Sequence, residues 1–137
     1  MPETYIYWVS TALLSLLYLF SAAMYVLRPG FVRQVLRELG YPAAYLVPFM
    51  AMIKVLAVAA ILSRVGVGLS DLAYAGILFH LLLSGLAHVG ADKPSGAAPA
   101  LIGLLLLAAS FTTQNSARER PSPYAAASHV IPLNERN

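Results

Sequence analysis

Cysteine is absent from the 137 residues. That removes disulfides, thiolate metal sites and cysteine redox chemistry together. Charge is also scarce: 11% of residues are charged and 59% hydrophobic, whereas ordinary soluble domains are about one-quarter charged. The mean hydropathy of +0.71 and that imbalance together argue for a bilayer. The basic residues are scattered, with no aromatic-basic interleaving, so nucleic acid is not an expected partner. A net charge of +3 fits contact with anionic lipid headgroups instead. No G-x-G-x-x-G, P-loop, G-x-S-x-G or H-E-x-x-H pattern occurs, which leaves nucleotide binding and the common hydrolase chemistries without support. The length allows one compact unit.

What the chain does have is long apolar runs. About 20 apolar residues cross a bilayer as a helix, and four such helices are predicted, over about 5–27, 42–63, 70–90 and 98–114. Runs of this length exceed barrel strands, and backbone groups in lipid must bond within their own segment. The expected fold class is therefore all-α, a four-transmembrane-helix bundle. The first run lacks a basic leader and reads as a retained helix, with Tyr5, Tyr7 and Trp8 at the headgroup layer. Ser70 is expected to cap the third helix, with Asp71 in its first turn. Pro99 suits the first turn of the fourth, after a polar turn over 92–96. Gly76, Ser84 and Gly85 are expected to let a neighbouring helix approach closely.

Between the first two spans, FVRQVLRELG sets Phe31, Val32, Val35, Leu36 and Leu39 on one side and Arg33, Gln34, Arg37 and Glu38 on the other. This pattern predicts a short interfacial amphipathic helix over about 30–39, closed by Gly40. The membrane domain is placed at 1–115 and a polar, irregular C-terminal tail at 116–137, where His129 stands alone. Four crossings put both termini on one side. Arg28, Arg33, Arg37 and Lys93 fall on one face, and Arg64, Arg118, Arg120 and Arg136 on the other. The positive-inside rule is thus balanced and sets no orientation.

Lys54 is the one charge inside an otherwise lipid-soluble run. An ammonium at that depth costs roughly 2.5–3.5 kcal/mol on insertion scales, so such residues have a partner, a cavity or a task. The third run repeats a polar or small residue every fourth position: Gly76, His80, Ser84, His88, Asp92. Neighbouring members share a helix face. Lys54 and His80 lie at compatible depths, and His88 and Asp92 nearer the surface reached by the first loop, where Asp92 is spaced to orient the imidazole. Together they suggest a cavity for the polar head of an apolar ligand, a lipid or a quinone, or for proton transfer. Two structural alternatives stand beside it: Lys54 paired with Asp71 or Asp92, and His80 bonded to a serine or tyrosine of a neighbouring helix. His80 and His88 are eight apart, not the spacing of a single-turn metal pair, and no metal is assigned.

The elements LGYPAAYLVPFMAMIKVLAVAAIL, LSDLAYAGILF and LAHVGAD resemble the DoxX-like family of small bacterial integral membrane proteins. The resemblance covers roughly 5–111 and falls on Gly40, Tyr41, Pro42, Lys54, Asp71, Ala73, Tyr74, Ala75, Gly76, His88 and Asp92. His80 is outside the pattern. Asp71 and Leu72 stand where the family usually has glutamate and tryptophan, and SAAMY at 21–25 stands where members often carry a glycine and a lysine. The resemblance implies a four-helix, multi-pass protein of the bacterial cell membrane, with relatives linked to quinol oxidase, thiosulfate oxidation and redox-stress complexes. The expected function is binding of a lipid- or quinone-like molecule, or service as an accessory subunit of a membrane redox complex. A membrane enzyme using Lys54, His88 and Asp92 for acid–base chemistry, or an oligomeric transporter or channel component, are the alternatives. Candidate site residues are Lys54, His80, His88, Asp92, Asp71, Ser84 and Tyr74. Expected partners are membrane lipids, further copies of the chain, or a redox-complex subunit.

Overall fold

The structure is a computed structural model that describes residues 2–127; His129 and Arg136 lie outside the described residues. Its helices are α1 (Pro2–Leu27), α2 (Pro29–Glu38), α3 (Leu46–Ser63), α4 (Val67–Gly90) and α5 (Ala98–Ala117), with a 3-10 turn at Pro94–Ala97. α1, α3, α4 and the turn with α5 are each long and apolar enough to cross a membrane. α1 touches α3 and α5, and α4 touches the same two, so the spans form a square ring with α1 and α4 on one diagonal.

Local chemistry sets the helix ends. Pro29 cannot continue α1 but serves as the first residue of α2, where its missing N–H is no loss. α2 closes on a Schellman turn: the Tyr41 N–H donates to the Leu36 carbonyl at 2.7 Å and the Gly40 N–H to the Arg37 carbonyl at 3.0 Å. Gly40 has φ of +90° there, a conformation that favours glycine. α4 ends in the same motif, with the Lys93 N–H donating to the His88 carbonyl at 2.9 Å and the Asp92 N–H to that of Val89 at 3.1 Å. Asp92 takes the left-handed position, at φ of 56°. The start of α4 corrects the capping expectation for Ser70. Gly66 adopts the extended N-cap conformation, so Ser70 lies a turn inside the helix and its own N–H bonds the Gly66 carbonyl at 2.9 Å.

Leu14, Val58, Ile77, Leu81 and Leu107 form the heart of the core, with Tyr18 and Tyr74. Polar bonds cross it. Ser110 shares 2.6 Å hydrogen bonds with both Thr11 and Tyr74, linking α1, α5 and α4. The helix-packing expectation is corrected in part. A Cβ on Gly76 would meet nothing within 4 Å, and one on Gly85 would make ordinary contact with Ala100. The close approach is at Gly103 instead, where a Cβ would lie 3.0 Å from the Leu81 side chain.

At the end where the chain begins, the segment after α5 is irregular but held in place. Arg118 Nε donates to the Tyr7 hydroxyl at 2.8 Å, and its guanidinium covers the Trp8 ring. Arg64 donates to Gln114 Oε1 and to the Arg120 carbonyl, both at 2.7 Å. These bonds hold a buried arginine that ends α3 in the left-handed conformation, at φ of 48°. Asn115 accepts from the Ser122 N–H at 2.7 Å, and the Ser122 hydroxyl donates to Asp71 Oδ2 at 2.9 Å. The first described part of the tail therefore caps the bundle.

At the opposite end α2 lies across the bundle with Val32 buried and Arg33 and Arg37 exposed. Lys93 donates to Glu38, pinning α2 to the α4–α5 turn. The bond from Lys93, and then its charge, hold the Glu38 carboxyl below the usual carboxylate range.

Two outcomes are expected. With no native cysteine to remove, single-cysteine variants at Gln34 and Ser95 should react with an impermeant maleimide from one side of a vesicle, and one at Arg120 only from the other. The Glu38–Lys93 contribution exists only while the carboxylate is ionised, so it is constant through neutral pH and fades as pH falls below about 4. The amide-exchange protection of α2, relative to the intrinsic rate at each pH, should fall over that interval, and Glu38→Gln should remove the dependence.

Candidate functional site

The polar row on α4 faces a cavity of about 1020 Å³ walled by α1, α2, α3 and α4. That volume lies at the upper end of the range of about 300–1,000 Å³ typical of ligand pockets. Most of its wall is aliphatic and aromatic. Leu72 and Leu83, which are 67% and 61% exposed, contribute to it. The cavity is therefore open on part of its wall toward the space that lipid occupies.

Lys54 projects into this cavity from mid-α3 and is only 5% exposed. Its Nζ lies 5.1 Å from the centre of the Tyr18 ring and 5.0 Å from that of Tyr25. The two tyrosines are seven residues apart on α1, two helical turns, and so share a face. Two desolvated cation–π contacts at about 2 kcal/mol each are comparable with the roughly 2.5–3.5 kcal/mol that an ammonium costs at this depth. The rings thus make the charge tolerable. Lys54 forms no hydrogen bond and no ion pair among the described residues. Of the two structural alternatives, pairing of Lys54 with Asp71 or Asp92 is therefore not what the structure has. The other is present: the Tyr18 hydroxyl and His80 Nδ1 share a 2.7 Å hydrogen bond.

His88 sits at the mouth. Its Nδ1 donates to the Ser84 carbonyl at 2.8 Å, which puts the ring proton on Nδ1 and leaves Nε2 as an acceptor. The ring lies against Gly96, where any Cβ would collide with it. His88 and Gly96 also line a second, smaller pocket of about 370 Å³ with Glu38, Asp92 and Lys93. His88 therefore stands between the membrane cavity and the charged loop end.

The sequence candidates thus divide. Lys54, His80, Ser84 and His88 share the cavity wall. Asp92 lines only the loop pocket, and it does not orient His88, whose Nδ1 bonds the Ser84 carbonyl. Tyr74 is buried in the core against Ser110 and Phe111. Asp71 is at the opposite end of the bundle, accepting from Ser122. Among the described residues no group of three His, Asp or Glu side chains converges as a metal site would require. Sequence reasoning missed Tyr18 and Tyr25. Their signal was a pair of hydroxyl-bearing rings seven apart inside an uncharged span.

Asp92 has a backbone role to test. Asp92→Gly should keep the fold and the cavity, whereas Asp92→Val should destabilise by about 1–2 kcal/mol, the cost of a left-handed residue with a Cβ. Unfolding in mixed micelles measures both.

No curated protein and no solved structure matches this chain. Residues 9–110 match the DoxX-like family, a stretch that holds Lys54, both tyrosines of the cavity, His80 and His88. On that match the chain belongs to the DoxX-like family.

Proposed function

We propose that this membrane protein binds a lipid- or quinone-like molecule in the α1–α4 cavity, with the polar head at Lys54 and the apolar body along the leucine wall. One observation carries the reading: a buried ammonium, flanked by aromatic faces and without a carboxylate among the described residues, points into an apolar cavity open to lipid. Such a group is complementary to an acceptor oxygen, a carbonyl or an anionic head. The Tyr18–His80 pair supplies a second polar contact beside it. Entry from the bilayer explains why exposed leucines form the wall on that side. The acid–base alternative needs Lys54, His88 and Asp92 around one point, and the separation of Asp92 from the cavity favours binding over it. Holding a quinone-like molecule at this depth is also what an accessory subunit of a membrane redox complex would contribute.

The test is retention of ligand by protein purified in mild detergent, read by native mass spectrometry, with ubiquinone and phospholipid as added probes. A hydrogen bond to a charged group contributes about 1.5–3 kcal/mol, so Lys54→Met should weaken binding about 10- to 100-fold. Lys54→Arg should retain part of it. Unchanged affinity in a folded Lys54→Met protein would overturn the reading.

A further inference from the structure

We infer that Lys54 captures long-chain aldehydes covalently, as an imine, within this cavity. The inference rests on the binding reading in one respect, that the cavity admits an apolar chain. It adds a reaction and a substrate class. Lysine amines in desolvated, apolar pockets are established covalent nucleophiles toward carbonyls. Lys54 has the required setting. It is mid-membrane, it lines a cavity of about 1020 Å³, and neither a hydrogen bond nor an ion pair among the described residues ties it down. The Tyr18 and Tyr25 rings, with centres 5.1 and 5.0 Å from the nitrogen, position it without a hydrogen bond. An aldehyde carried on a long chain would enter from the lipid side, with its body along the leucine wall and its carbonyl at the amine.

The Tyr18–His80 pair, hydrogen-bonded at 2.7 Å, lines the same cavity as the reacting nitrogen. The ammonium gives one proton to water, and the amine attacks the carbonyl carbon. The N–C bond forms as the carbonyl electron pair moves to oxygen, and an amine proton follows to that oxygen, giving the carbinolamine. A proton then returns from water to the hydroxyl, the C–O bond breaks, and a water molecule leaves as the nitrogen lone pair forms C=N. One cation becomes another, one water is released, and nothing is oxidised or reduced.

The sequence makes the test clean, because Lys54 and Lys93 are its only lysines and Lys93 is exposed in the loop. Full-length protein in micelles is treated with hexadecanal and cyanoborohydride, and the adducts are mapped by peptide mass spectrometry. Lys54 should be modified at least about tenfold faster than Lys93, since held proximity raises effective concentration. Propanal, which has no chain to seat, should show no such preference. Lys54→Arg should lose the cavity adduct and keep the one at Lys93. Hexadecanol, which binds but cannot react, separates the two readings. Hexadecanol bound in native mass spectra with hexadecanal trapped only at Lys93 would overturn the covalent step alone. Failure of both probes to bind would overturn the cavity reading as well.

Discussion

A single ammonium at bilayer depth organises the middle of this molecule. Lys54 can be there because two tyrosine faces from α1 offset most of its cost, and α1 must present Tyr18 and Tyr25 inward for that to happen. Tyr18 then reaches across the diagonal of the ring to His80 on α4. A cation on α3 thereby fixes the rotation of α1, and α1 in turn engages α4. The cavity is the space these three helices and α2 enclose, and the Tyr18–His80 contact supplies polar groups to its wall.

The two ends of the bundle are built differently. At one end a buried arginine, a glutamine, an asparagine and the chain beyond α5 form a bonded cap. At the other, the closure is an amphipathic helix held by one exposed ion pair. An exposed pair contributes little on its own, so the α2 end is the more weakly secured. The charged loop pocket lies at that end, and the membrane cavity extends to it. His88, shared by their walls, has its proton fixed on Nδ1 by the backbone of its own helix. The least constrained end of the protein is thus the one adjoining the candidate site.

Much of this was legible in the chain. The apolar runs dictate four helices, the alternation in 31–39 dictates an interfacial one, and the four-residue repeat on α4 marks the face that lines the cavity. Lys54 stood out by cost alone. Asp71 and Asp92 were not resolved in the same way, because a carboxylate near a helix end can orient a histidine, pair with a lysine or serve the backbone. Asp92 occupies a left-handed turn and Asp71 receives the Ser122 hydroxyl, roles that depend on local φ and on a distant segment. The sequence marks the tail only as irregular, since hydrogen bonds from Asn115 to residues beyond Arg120 leave no periodic trace.

By itself, then, the sequence determined the number of spans, the interfacial helix and the presence of a buried cation that needed an explanation. Hydropathy and periodicity decide these, because they depend only on segments and on the solvent around them. The tertiary structure decided what surrounds the cation. Whether Lys54 meets a carboxylate, an aromatic face or an open cavity depends on how each helix is rotated in the ring. That rotation is set by packing between residues far apart in the chain, such as Tyr18, Lys54 and His80.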